Sequence, residues 1–154
     1  MAMTMTGEYT IPADRQTVWN ALNDQDVLAA SIPGCESFEK KSDTEFSAVA
    51  TVKIGPVKAK FKGDVTLSDI DAPNSYRISG QGQGGVAGFA KGGATVSLKD
   101  GEDGGTVLTY DVEAHVGGKI AQVGQRLING AAKKTADQFF ENFRNRLSPD
   151  QNAA

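Results

Sequence analysis

A single cysteine, Cys35, and a single histidine, His115, are all that this 154-residue chain holds of the two residue types most used for metal binding and nucleophilic chemistry. One cysteine forms no internal disulfide and cannot furnish a structural zinc site, and its isolation fits a reducing cytoplasm. No base can be named beside Cys35, so it reads as a small packed or rim residue. His115 alternates with Thr109, Asp111 and Glu113 on the polar side of a strand. Those side chains stand in a row, ~7 Å apart at each two-residue step. That spacing suits solvent better than one ion, and no metal or cofactor is expected. Residues 1–6 lack the charged and apolar regions of a secretory signal. No apolar run approaches the ~20 residues that span a bilayer. The net charge of −3 excludes a basic nucleic-acid binder. The fragment Gly82-Gln83-Gly84-Gly85 follows a strand, but it opens no helix and lacks the lysine of a phosphate loop. No molybdenum, iron–sulfur or flavin motif is visible, and no catalytic residue is assigned.

What the chain does contain is periodicity. Residues 119–147 read as one long helix, with Ile128, Ala132, Ala136, Phe139, Phe143 and Leu147 recurring at steps of four or three. Ile120, Val123, Leu127 and Ala131 extend the stripe. Before it, residues 4–11 read as a strand, and Asp14 and Asp24 as N-caps of two short helices that Pro33-Gly34 ends. Residues 44–54 and 57–67 alternate around the turn Gly55-Pro56, and residues 106–116 alternate again. Strands are also expected at 35–41, 76–80 and 94–98. The glycine-rich stretch 80–93 gives no clear period. The order is α+β: a curved antiparallel sheet of about seven strands, two short helices and one long C-terminal helix, with the helices on one face. A single domain over residues 1–147 and a flexible tail over 148–154 are expected.

The inward face carries Ala48, Ala50, Ala59, Gly63, Ala90, Gly92, Ala94 and Ala114. A floor so poor in side-chain volume has two resolutions, because unfilled volume costs roughly 24 cal/mol per Å³. Either the helix approaches closely, helped by Gly124, Gly130, Ala131 and Ala132, or the space is a pocket for an apolar ligand. The pocket is preferred, since one helix fills a strongly curved sheet poorly. Its expected walls are Phe46, Ala48, Ala50, Phe61, Gly63, Phe89 and Tyr110 on the sheet. The helix would add Gly124, Leu127 and Ile128, with Tyr110 donating a hydrogen bond to a carbonyl. Ile32, Cys35 and Val86 would border the mouth. Gly124 and Gly130 also suggest a displaceable first half of the helix, with a boundary near Gly130. Lys58, Lys60 and Lys62, with Lys53, form an outward lysine face. It reads either as a solvated face that protects an edge or as a docking surface for an acidic partner or an anionic membrane.

Several stretches resemble the CoxG family of carbon monoxide dehydrogenase subunits, within the START-like helix-grip superfamily. They are Ile32-Pro33-Gly34-Cys35-Glu36, Lys53-Ile54-Gly55-Pro56-Val57 with Phe61-Lys62-Gly63, residues 118–124, and Ala136-Asp137-Gln138-Phe139-Phe140. The resemblance implies a helix-grip fold with a cavity for an apolar molecule of quinone or lipid kind. It also implies a non-catalytic accessory role beside a molybdenum-containing carbon monoxide dehydrogenase or related hydroxylase. Some members carry a C-terminal extension suited to membrane attachment, which this sequence does not show. The expected location is therefore the cytoplasm, with peripheral contact at the inner membrane face left open. The alternative reading is a protein-docking or membrane-recruitment module that needs no ligand. A cavity enzyme is a third reading, for which no acid–base pair is found.

Overall fold

The computed structural model describes residues 2–147; the tail expected over 148–154 lies outside them. Seven strands form one antiparallel sheet: β1 (Ala2–Ile11), β2 (Cys35–Lys40), β3 (Glu45–Ile54), β4 (Val57–Asp71), β5 (Ser75–Gln83), β6 (Phe89–Asp100) and β7 (Thr106–Gly117). Their spatial order is β1-β7-β6-β5-β4-β3-β2. The first two strands thus occupy opposite edges. The chain crosses between them through α1 (Arg15–Leu22) and α2 (Gln25–Ser31), and the long α3 (Gln125–Leu147) follows the last strand. This is the expected α+β arrangement.

Local chemistry sets these boundaries. Asp24 caps α2, its carboxylate accepting from the amides of Asp26 at 2.8 Å and Val27 at 3.2 Å. Asp14 occupies the N-cap position of α1, but its carboxylate accepts from the Thr17 hydroxyl. The sheet follows strict side-chain alternation. Phe46 pairs with Val65, Ala48 with Gly63, Ala50 with Phe61 and Val52 with Ala59, all on the inner face.

Two expectations need correction. Residues 119–147 are not one helix. A 3-10 turn (Lys119–Val123) comes first, Gly124 breaks the path at φ 99° and ψ 155°, and α3 begins at Gln125. That backbone conformation is essentially confined to glycine. The boundary therefore lies at Gly124 and not near Gly130. The glycine-rich stretch is also more regular than its composition suggests. It completes β5, makes a 3-10 turn (Gly85–Ala87) and opens β6, with an unbroken ladder from Gln83↔Phe89 to Ser75↔Ser97. Glycine is required there by close approach: a Cβ on Gly88 would lie 2.0 Å from the Gly117 carbonyl oxygen, and one on Gly118 2.5 Å from the Gly88 Cα.

The apolar interior divides in two. The larger cluster joins Val18, Trp19 and Leu22 of α1 to Leu67, Tyr76, Val96 and Leu108 of the sheet and to Phe143 of α3. The smaller one, at the other end of the strands, joins Met3 and Val116 to Ile120 and Ile128. The second half of α3 thus anchors the fold, packing on α2 and β1. Phe139, Phe140 and Phe143 stack in sequence within the larger cluster.

Candidate functional site

Between the two clusters lies a band of the inner face that belongs to neither. It consists of Ala48 and Ala50 on β3, Gly63 on β4, Gly80 and Gly82 on β5, and Gly92 and Ala94 on β6. All are partly accessible, although each lies on the face that the helix covers. A residue buried by tight packing would lose that accessibility. The band is therefore a floor of hydrogens and methyl groups, with apolar walls at both ends. On the helix, Ala132 joins the far wall and Ala136 the near one, so small residues oppose small residues. Floor and helix together can hold an apolar molecule without offering it a polar group.

The expected site residues fall into three sets. Ala48, Ala50, Phe61 and Gly63 come together as one contiguous patch of β3 and β4. The Phe61 ring lies at the far end, where a Cβ on Gly84 would meet it at 2.6 Å, and Ile128 joins it in the smaller cluster.

Phe46 and Tyr110 face inward but are packed into the anchor. Phe46 is buried with its ring centroid 5.4 Å from Phe38. Tyr110 stacks at 6.1 Å on Tyr9 and 5.8 Å on Phe140, and fills the space where Gly7 has no side chain. Tyr110 is therefore not placed to donate a hydrogen bond to a ligand carbonyl, contrary to expectation. The ring next to it was not foreseen. Tyr9 stacks on Phe140 at 4.4 Å and donates its hydroxyl to Asp137. Burial, and then that hydrogen bond, push the Tyr9 phenol well above its usual range. The same bond holds the Asp137 carboxyl low, with Lys133 at 3.0 Å assisting. The inward parity of Tyr9 was visible in β1; its partner on α3 was not.

The remaining expected residues do not reach the floor. Phe89 pairs with Gly117, so it stands on the outer face, covers that glycine and is 40% exposed. Leu127 is 47% exposed and leans on the β3–β4 hairpin, 3.2 Å from where a Cβ on Gly55 would be. Gly124 is the break before α3 and touches nothing at its Cβ position, and the same is true of Gly130 within the helix. Of the three expected mouth residues, Ile32 and Cys35 stand together beside Ala50, where the Gly34 carbonyl accepts from the Thr51 amide at 2.9 Å. Val86 is 93% exposed on the β5–β6 turn, two strands further in, and borders no shared opening with them. The Cys35 thiol donates to the Ser37 carbonyl at 3.3 Å, and burial raises its pKa. It is therefore a thiol and not a thiolate at neutral pH.

Among the described residues, no group of three or more His, Cys, Asp and Glu side chains is placed to hold a metal ion. None of the described helices is long and apolar enough to cross a membrane.

A curved antiparallel sheet gripping a C-terminal helix, with an apolar band between them, defines a START-like helix-grip domain. The solved structures agree. A START superfamily protein from Mycobacterium smegmatis has a TM-score of 0.71 at 12% identity, over 94% of this chain and 96% of that one. The di-domain ARO/CYC BexL from the BE-7585A biosynthetic pathway has a TM-score of 0.65 at 11% identity, over 96% of this chain and 50% of that one. A conserved protein from Geobacillus kaustophilus is similar at 31% identity with a TM-score of 0.88, over 94% of this chain and 95% of that one. No curated protein sequence matches. The family model of the carbon monoxide dehydrogenase subunit CoxG matches residues 7–148, and the chain belongs to that family.

Proposed function

We propose that this domain shelters an apolar small molecule, of quinone or lipid kind, between the Ala/Gly floor and α3. In this reading it is a non-catalytic accessory of a molybdenum-containing carbon monoxide dehydrogenase or related hydroxylase. The observation that supports it is the partly accessible band Ala48, Ala50, Gly63, Gly80, Gly82, Gly92 and Ala94, held open between two packed apolar clusters. A ligand there exchanges water for methyl and methylene contacts, at roughly 25 cal/mol for each Å² of apolar surface removed from water. The floor offers no charge, so selection rests on shape and apolarity. Ala50→Phe and Gly63→Phe place a ring on the floor. Gly63 accepts a Cβ in ordinary contact, 3.4 Å from the Gln81 carbonyl. Both variants are expected to fold and to lose uptake of an apolar fluorescent probe at least tenfold. Native mass spectrometry of the purified protein would then identify a co-purifying molecule by mass. Unchanged uptake in both variants would remove the cavity from the reading.

A specific asymmetry favours a second activity at one end of the strands. There is no Asp or Glu in residues 46–63, 72–99 or 114–136. Lys53 and Lys58 face each other directly across β3 and β4, an arrangement that costs stability through like-charge repulsion. Lys60 pairs with Glu36 at 3.3 Å, whereas Lys58 and Lys62 have no ion pair among the described residues. Three exposed apolar side chains, Val86, Phe89 and Leu127, lie at the same end. This end suits docking on the acidic surface of the partner enzyme. Reversing Lys58, Lys60 and Lys62 to Glu should abolish co-purification with that enzyme while leaving apolar-probe uptake intact. Loss of both together would mean that the variant has not folded.

A further inference from the structure

The outer face of the sheet carries its own recess, of about 560 Å³, on the side away from the apolar floor. Two cross-strand rows build it over β4, β5, β6 and β7. One row is Thr66, Ser79, Gly93 and Glu113; the next is Asp64, Gln81, Lys91 and His115.

The bottom is Gly93, where the outer face lacks a side chain. Arg77 uses that gap. Its cross-strand neighbour is Thr95, but it leans across β6 so that Nη2 donates to Glu113 Oε1 at 2.7 Å, directly over Gly93. A Cβ at Gly93 would meet that nitrogen at 2.7 Å and the Ile78 carbonyl oxygen at 2.9 Å. The guanidinium is thereby held in place as one wall. Lys91 stands one two-residue step along the same strand, ~7 Å away. Gln81 and His115 flank it on the neighbouring strands.

Donors in this recess are largely unspent. Among the described residues, the side chains of Lys91, Gln81, Ser79, Thr66 and His115 make no hydrogen bond or ion pair. Its two carboxylates are engaged elsewhere: Glu113 with Arg77, and Asp64 with the Ser47 hydroxyl at 2.9 Å. Asp64 also stands two strands from Lys91, ~10 Å away at the usual strand spacing. The recess therefore has a cationic side at Lys91 and Arg77, and a side of hydroxyl partners at Ser79, Thr66 and Asp64.

The geometry points to a binding site for a small hydroxylated anion. A carboxylate or phosphate group lies against Lys91, within reach of Gln81 and the Arg77 guanidinium, and ligand hydroxyls meet Ser79, Thr66 and Asp64. Charge-assisted hydrogen bonds hold the anionic end, and the hydroxyl side supplies selectivity. The site shares no side chain with the apolar floor and stands whether or not that floor holds a ligand.

Amide NMR titrations of the full chain at constant ionic strength test it, with inorganic phosphate, glycerol 3-phosphate and L-malate as probes. Saturable shifts are expected at Gln81, Lys91, Gly93 and His115 for at least one of the two hydroxylated anions. Saturation by glycerol 3-phosphate names a phosphate ligand and saturation by malate a carboxylate. Lys91→Glu should weaken the response at least tenfold. Ser79→Leu, which fills the recess without changing charge, should do the same, and both variants should keep wild-type uptake of the apolar probe. Shifts that never saturate and spread to Lys58 and Lys62, shifts that survive both substitutions, or no response to any probe would each overturn the site. Inorganic phosphate binding as tightly as the hydroxylated anions would overturn the assigned ligand class.

Discussion

Two glycines of the C-terminal segment look alike in the sequence and do opposite work. Gly124 holds a backbone conformation that other residues reach only with strain, so Gly124→Ala is expected to cost about 1–3 kcal/mol in urea unfolding. Gly130 sits inside α3 with open space around it, so Gly130→Ala should stabilise by about 1 kcal/mol and leave probe uptake unchanged. Sequence reasoning favours Gly130 because the 3-10 turn at 119–123 keeps the apolar spacing of a helix, with Ile120 and Val123 one turn apart. The break is a matter of φ, which no side chain at a glycine reports. Phe89 teaches the same lesson. It is apolar and so is expected to turn inward, yet register through the preceding turn fixes its parity, and it faces out.

The strands that alternate with real side chains are legible one by one. β3, β4 and β7 lie within a residue or a few of their expected ends, because each opposes bulky and polar faces at period two. β5 and β6 are legible only where Tyr76 or Val96 breaks the run of glycine, since a glycine contributes no period. The stripe on α3 also holds, from Ile128 to Leu147, but its division of labour emerges only from packing. Its second half is the anchor. Phe143 is fully buried among rings from three elements, so Phe143→Ala is expected to cost about 3–5 kcal/mol in chemical denaturation. A cost near 1 kcal/mol would mean that the helix does not close the fold there.

At the scale of the whole molecule, two phenols set an alkaline limit. Burial raises the pKa of Tyr9 and of Tyr76 above the ordinary phenol value of 10.0. The folded chain therefore keeps protons that the unfolded chain loses. Their contribution to stability is complete below about pH 10 and declines as pH rises above it. Thermal unfolding followed from pH 8 to 11.5 should show the melting temperature falling above pH 10. Tyr9→Phe and Tyr76→Phe should each flatten that fall; an unchanged slope in both variants would exclude these phenols as its source. The sheet order has a last consequence, in the time domain of synthesis. β1 is made first, yet its only strand partner is β7, with Ala2 opposite His115 and Ile11 opposite Thr106. At translation rates of about 5–20 residues per second, the strand waits roughly 5–20 s for that partner to emerge. Throughout that interval its amides, Met3, Met5 and Tyr9 have no sheet to join. Shielding of the nascent N-terminal segment is thus a requirement of this topology, met before any of the rest of the sheet can close.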